Sequence, residues 1–170
     1  AAMNIIQPIR IRRAHAGDAP RLKAILQDSF ESTWLPVLTP AAAASYRIED
    51  RGARYVEESL EAFRVAEIEG VVAGFVHWQG DFVEGLHVHG DHRRQGVGRL
   101  LMDCAERAMA LEGFAAVRLE TDSFNVASQA FYLGRGYAEQ ARYPDEEWDS
   151  GFTTILYVKR FDRGRDPGAE

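Results

Sequence analysis

The chain contains 170 residues, of which 46% are hydrophobic and 27% charged, and its formal net charge is −6 at pH 7. This composition is typical of a globular domain, and the acidic balance without a long basic run argues against a nucleic-acid partner. With Cys104 as the only cysteine, an internal disulfide is excluded. No apolar run could span a bilayer and the N-terminal residues lack the apolar segment of a signal peptide, so we expect a cytoplasmic protein with no membrane partner.

The predicted elements alternate between strands and helices along the chain. Apolar residues at alternate positions predict strands, and apolar residues three and four apart predict helices. Asp18 is the expected cap of the first helix, and Thr39-Pro40 is the expected start of a second helical region with a candidate break near Gly52. In order we predict a strand at 5–13, helices at 18–30 and 39–62, strands at 63–69, 71–79 and 82–89, a helix at 97–111, a strand at 115–121, a helix at 125–135, and strands at 137–142 and 152–160.

This order, β-α-α-β-β-β-α-β-α-β-β, predicts a mixed α/β fold of the α+β type. We expect residues 1–161 to form a single domain. Residues 162–170 are polar and contain two glycines and a proline, which predicts a flexible tail.

A basic, glycine-containing loop joins the strand that ends at His89 to the helix that begins near Val97. The first turn of a helix offers unpaired N–H groups and the positive end of the helix dipole, and glycine lets an anion approach the backbone closely. The pattern therefore predicts an anion site, with a plain turn and solvated arginines as the alternative. The loop and the start of the helix contain Arg93, Arg94, Gln95, Gly96, Val97, Gly98 and Arg99. The apolar stripe expected on the helix contains Val97, Leu101, Cys104, Ala108 and Leu111.

The spacing of this loop distinguishes between kinds of anion site. A P-loop is excluded because Val97 and Arg99 follow the glycines where Lys and Ser or Thr are required. A dinucleotide fingerprint is disfavoured because Leu101 occupies the position of its third glycine. Residues 93–98 instead fit the pattern Arg/Gln-x-x-Gly-x-Gly/Ala. Here the chain resembles the GNAT superfamily of acyl-CoA-dependent N-acyltransferases, in which this loop holds the pyrophosphate of coenzyme A.

The resemblance extends over about residues 9–161 and includes the order of the elements. It implies that acetyl-CoA is the co-substrate and that the acyl group passes directly to an amine in a ternary complex. It also implies that the pantetheine arm lies along Leu86, His87 and Val88 like an added strand. The N–H group of Val88 would then bond the thioester oxygen and stabilise its developing negative charge.

Asn125, Ser128 and Tyr132 share one face of a short predicted helix, because they are three and four residues apart. Tyrosine is protonated at neutral pH and can donate a proton. From spacing alone, a helix cap followed by a tyrosine at the edge of the core fits equally well. The segment from Asn125 to Tyr137 resembles the second cofactor motif of the GNAT family. This places all three side chains among the cofactor-binding residues, with Asn125 on the pantetheine arm and Tyr132 as the acid that protonates the departing thiolate.

Two glutamates are candidate bases, since an amine nucleophile must lose a proton that a carboxylate can accept. Glu120, in the pattern Glu-x-x-x-x-Asn, resembles the base of the ribosomal-protein N-terminal acetyltransferase branch. Glu84 lies roughly where histone-type enzymes of the family have theirs. An ordinary exposed strand glutamate is the alternative for each.

The remaining candidate sites and partners are less specific. His87 and His89 form a His-x-His pattern, but no other ligand completes a set, so no metal is expected. The carboxylates between Tyr143 and Gly151 surround Trp148 and favour either a solvated loop or an amine acceptor that is cationic. A non-catalytic acyl-CoA sensor and a protein-interaction module are the other function classes, and both a monomer and a homodimer are compatible with the sequence.

Overall fold

The computed structural model describes residues 8–145 and 151–162, and these form two compact units. The first contains residues 8–78 and 85–105, and the second contains residues 79–84, 106–145 and 151–162. The predicted tail lies outside the described residues from position 163 onward, and the single domain expected for residues 1–161 stays a prediction. The main elements are β1 Ile9–Arg13, α1 Ala19–Ser29, α2 Pro40–Glu49, α3 Arg51–Ser59, β2 Phe63–Ile68, β3 Val71–Gln79, β4 Phe82–Val88, α4 Val97–Leu111, β5 Ala116–Asp122, α5 Val126–Gly134, β6 Ala138–Pro144 and β7 Thr153–Arg160.

The first unit is a sheet with the strand order β1-β2-β3-β4. β1 pairs antiparallel with β2, with Ile9 opposite Ile68, and β2 pairs antiparallel with β3. The apolar positions of these strands meet apolar side chains of α1 and α3, and their removal from water stabilises the unit. The core of this unit contains Leu22, Ile25, Leu26, Val56, Phe63, Val65, Val72 and Phe75.

The second unit has the strand order β4-β5-β7-β6. The first residues of β4 pair in parallel with β5, Phe82 with Arg118 and Val83 with Leu119. β5 and β6 both pair antiparallel with β7, which therefore lies between them. The mixed sheet and its helices confirm the predicted fold class.

A buried carboxylate connects several elements of the second unit. Glu106 on α4 is only 8% exposed. Its two oxygens accept hydrogen bonds from Arg135 Nη2 at 2.7 Å, Tyr137 Oη at 2.7 Å and Lys159 Nζ at 3.1 Å. Arg135 directly follows α5 and Lys159 lies on β7, so one charged group fixes the end of α5 against α4 and the sheet.

Two local predictions are wrong. Asp18 precedes α1, but its carboxylate caps no N–H group of α1, because it accepts two charge-assisted hydrogen bonds from Arg12 at 2.8 and 2.9 Å. Leu111 of the predicted stripe is 80% exposed, because Met102 and Met109 supply the buried face of α4. The break predicted near Gly52 is confirmed, since the second helical region breaks at Asp50, which has a left-handed backbone with φ of 48°. The cap at Thr39 is confirmed, since its hydroxyl accepts the N–H group of Ala42 at 3.2 Å.

Candidate functional site

The loop between β4 and α4 is fixed at both of its sides within the first unit. The N–H group of Gly90 donates to Asp28 Oδ2 at 2.8 Å, and Arg93 Nη2 donates to Ser32 Oγ at 3.2 Å. Arg94 and Gly96 have left-handed backbones, with φ of 62° and 83°. These two residues turn the chain directly into the first turn of α4.

The start of α4 has the properties of an anion site. The side chains of Arg93, Arg94 and Arg99 are exposed, while Val97 is buried and anchors the helix start in the core. The first N–H groups of α4 have no partners inside the helix, and they carry the positive end of its dipole. A left-handed glycine, a helix N-terminus and exposed guanidinium groups are together able to bind a diphosphate.

The first test is Gly96→Ala. We expect weaker binding of coenzyme A by at least tenfold, because alanine disfavours the left-handed backbone by about 1–2 kcal/mol and the loop must change its path. Gly113→Ala is the matched control, since Gly113 follows the other end of α4, also has a left-handed backbone with φ of 93°, and has open space where a Cβ would stand. Calorimetric titration with coenzyme A compares the two, and an equal loss of affinity in both variants would contradict an anion site at this loop.

The residues of β4 that precede the loop lie beyond its pairing with β5. That parallel ladder covers Phe82 and Val83. On the other side β3 approaches closely, since a Cβ on Gly74 would lie 2.6 Å from the carbonyl oxygen of His87. The segment Leu86–Val88 is therefore supported by the backbone of β3 on one side. A strand supported in this way can bind an extended ligand along its other edge.

The side chain of His87 faces the helices of the first unit. Its Nδ1 lies 3.2 Å from Ser29 Oγ, and its ring stacks on Phe75 at 5.3 Å between centroids. Burial lowers the pKa of His87 to about 4, so the ring is neutral at neutral pH. Within residues 8–145 and 151–162, no group of three or more His, Cys, Asp or Glu side chains could hold a metal ion.

The depressed pKa of His87 predicts a pH dependence of stability. The unfolded state takes up a proton near the ordinary pKa of 6.5 and the folded state only near 4, so the free energy of unfolding falls as the pH falls through this window. We expect a loss of about 3 kcal/mol, measured by urea unfolding. His87→Gln should remove this part of the slope, and burial of His77 accounts for a part that remains. A wild-type slope in the variant would show that His87 does not contribute.

Asn125 and Ser128 are engaged with their own unit. Asn125 is the N-cap of α5, and its Oδ1 accepts the N–H group of Ser128 at 3.1 Å. Ser128 Oγ accepts the hydroxyl of Thr121 on β5 at 2.9 Å. The amide oxygen of Asn125 therefore acts as a helix cap, as the alternative interpretation predicts. The NH₂ group of Asn125 is the part of the side chain that could donate a hydrogen bond to a ligand.

Tyr132 is buried among other aromatic rings. Its side chain is 8% exposed, and its ring lies 5.1 Å from Phe131, 5.5 Å from Tyr137 and 6.5 Å from Tyr157 between centroids. Burial raises the pKa of Tyr132 above its ordinary value, so the hydroxyl is protonated at neutral pH. The hydroxyl therefore carries the proton that a general acid must hold before the reaction.

The two candidate bases have different surroundings in the second unit. Glu120 lies on β5, where its Oε1 accepts the hydroxyl of Tyr143 at 2.6 Å. Burial raises the pKa of Tyr143 to about 12, and the hydrogen bond to Glu120 adds to this effect. Glu84 lies on β4 and is exposed. The contact between Tyr143 and Glu120 was not predicted from the sequence. It depends on the strand order, in which β7 is the neighbour of both β5 and β6.

In sum, the predicted site residues occupy two places. The loop from Arg93 to Arg99 and the segment Leu86–Val88 belong to the first unit, and Glu84, Glu120 and α5 belong to the second. The described residues also contain no helix that is both long enough and apolar enough to cross a membrane.

Comparison with known proteins assigns a family. The model of the acetyltransferase (GNAT) family matches residues 19–137. The chain is 33% identical over 93 residues to blasticidin-S acetyltransferase of Streptomyces morookaense, and this match covers 55% of the chain and 66% of that protein, just under two thirds of its length.

Solved structures give the same fold at low sequence identity. The solution structure of apo YjaB from Escherichia coli is 22% identical, with a TM-score of 0.75, and the match covers 89% of this chain and 97% of that one. PaiA N-acetyltransferase from Thermoplasma acidophilum in complex with coenzyme A is 18% identical, with a TM-score of 0.69 and coverage of 91% and 99%. Since the family model spans the loop, both glutamates and α5, the chain belongs to the GNAT acetyltransferase family.

Proposed function

We propose that the protein transfers an acetyl group from acetyl-CoA to a primary amine by direct attack in a ternary complex. The observation that carries the proposal is the basic loop with the left-handed Gly96 at the N-terminus of α4, within the region that the family model matches. This loop would hold the pyrophosphate, and Leu86–Val88 would bind the pantetheine arm through their backbone. A relative solved with coenzyme A supports the choice of cofactor.

The chain would supply groups for both proton transfers of the proposed reaction. As the amine nitrogen bonds to the acetyl carbon, the carbon–sulfur bond breaks and the electron pair stays on sulfur. Tyr132 would give its proton to that sulfur, while Glu120 or Glu84 would take the proton that the nitrogen loses. Asn125 would orient the pantetheine arm through its NH₂ group and Ser128 would line the same face of α5.

The acceptor is an amine whose structure the family does not define. The similarity to blasticidin-S acetyltransferase favours a small-molecule amine, and a neighbour described as ribosomal-protein-S18-alanine N-acetyltransferase keeps a peptide amine as an alternative. A cationic acceptor is proposed from the carboxylates near Trp148. Asp145 belongs to the described residues, whereas Glu146, Glu147, Trp148 and Asp149 lie outside them.

The test of the function is release of free thiol from acetyl-CoA with a panel of amines that contains benzylamine, spermidine, glycinamide and β-alanine. We expect at least one amine to be acetylated, with spermidine preferred over β-alanine, which carries a carboxylate. Stabilisation by coenzyme A without turnover of any amine would favour a sensor, and no stabilisation at all would favour an interaction module.

The identity of the base is a separate prediction. Glu120→Gln should remove the rise of kcat/KM with pH, because the amide cannot accept the proton, whereas Glu84→Gln should retain it. Tyr143→Phe tests the contact without removing the carboxylate, and we expect a changed pH profile with coenzyme A affinity retained. Wild-type profiles in both glutamine variants would exclude both glutamates as the base.

A further inference from the structure

Two pairs of polar side chains in the first unit converge on one point of β4. Tyr55 Oη on α3 lies 2.6 Å from His77 Nδ1 on β3. The second pair joins Ser29 to His87 Nδ1 at 3.2 Å. A Cβ on Gly85 would lie 3.1 Å from Tyr55 Oη and 3.7 Å from His87 Nε2, so one side chain of each pair lies against this glycine.

One nitrogen of this cluster is buried without a hydrogen bond. His77 is 2% exposed, and among the described residues its Nε2 has no partner. Its neighbours include the ring of Phe63, 5.2 Å away between centroids, which cannot replace a hydrogen bond. A buried polar atom of this kind costs about 1–3 kcal/mol, and such groups in native proteins are commonly satisfied by a water or a ligand.

The cluster is polar but its imidazole rings are uncharged. Burial lowers the pKa of His77 and lowers that of His87 to about 4, so neither ring is protonated at neutral pH. A neutral imidazole presents one donor and one acceptor, and a tyrosine hydroxyl can act as either. These side chains can therefore form hydrogen bonds with a ligand, but they provide no negative charge. A buried cation needs such a charge, so the cluster favours an uncharged ligand.

We propose that Tyr55, His77 and His87 form the binding site of the reacting amine and hold it as the free base, R–NH₂. The inference rests on the proposed function and adds the protonation state that the site selects. Gly85 and His87 flank Leu86, which begins the segment proposed for the pantetheine arm, so an amine held above Gly85 lies beside that arm. The free base is also the form that can attack a thioester, because its nitrogen retains the lone pair. Positive charges elsewhere on the acceptor remain compatible with the site.

Two substitutions test the site with little change of packing. Tyr55→Phe removes the hydroxyl and keeps the ring, and Gly85→Ala places a methyl group where Tyr55 Oη must move by a few tenths of an ångström. Tyr46→Phe and Gly134→Ala are the matched controls, since Tyr46 lies on α2 of the same unit and a Cβ on Gly134 meets nothing within 4 Å. With the best amine of the panel, we expect KM for that amine to rise at least tenfold in both test variants, with coenzyme A affinity unchanged and both controls within twofold of wild type.

The protonation state is tested with two amines of equal length. At pH 7.5, ethylamine is mostly protonated and 2,2,2-trifluoroethylamine is mostly the free base. We expect trifluoroethylamine to compete with the best acceptor at a concentration at least tenfold lower than ethylamine. Equal or weaker inhibition by trifluoroethylamine overturns the inference, as does a wild-type KM in both test variants, and in either case the acetyltransferase function stands. If no amine of the panel is acetylated, the proposed function fails and the inference with it.

Discussion

Replacing Tyr132 by phenylalanine is expected to lower kcat about a hundredfold or more, because in the proposed reaction Tyr132 is the proton donor to the departing thiolate. Tyr132 is buried among aromatic rings, so phenylalanine fills its place and the fold should be retained. The affinity for coenzyme A should change little, because the hydroxyl is needed only when the sulfur becomes negative. Stopped-flow or steady-state thiol release measures kcat, and calorimetric titration measures the affinity.

Tyr157→Phe is the matched control for this substitution. Tyr157 is also buried, at 2% exposure, and lies on β7 of the same unit. Loss of its hydroxyl should leave kcat within a few-fold of wild type. If Tyr132→Phe turns over amines as fast as wild type, another group protonates the sulfur.

Replacing Glu106 by glutamine is expected to destabilise the fold by about 3–5 kcal/mol, because it removes the charge that compensates two partly buried cations. Arg135 and Lys159 both donate to this carboxylate, and their side chains are only 12% and 27% exposed. Urea unfolding at pH 7 measures the change. Activity should fall along with stability, since Arg135 directly follows the helix that carries Tyr132.

The exposed pair of Glu139 and Arg142 on β6 provides the control. Glu139→Gln removes the same charge from the same kind of contact, but both side chains are largely in solvent, where ion pairs contribute little. We therefore expect a nearly unchanged urea midpoint. Similar losses for Glu106→Gln and Glu139→Gln would show that burial of the Glu106 network does not govern its contribution.

Features that depend on neighbouring residues could be predicted from the amino-acid sequence alone. The strand, basic loop and helix from Leu86 onward were predicted from alternation, glycine and helical spacing, all of which act within a few residues. The cap at Thr39 was predicted for the same reason. The resemblance to the GNAT family, which the family model confirms, depended on these local patterns.

Contacts between side chains that are distant in sequence depend on the tertiary structure. Tyr143 on β6 can reach Glu120 on β5 because β7, the last strand in sequence, pairs with both of these strands and brings them into the same part of the sheet. Asp18 binds Arg12 and does not cap its helix, since an arginine brought near by β1 is the stronger partner. The pairing of Tyr55 with His77 likewise depends on how α3 packs over β3. Local sequence fixes the conformation of each element, whereas the partners of its polar groups depend on strand order and on which helix face is buried.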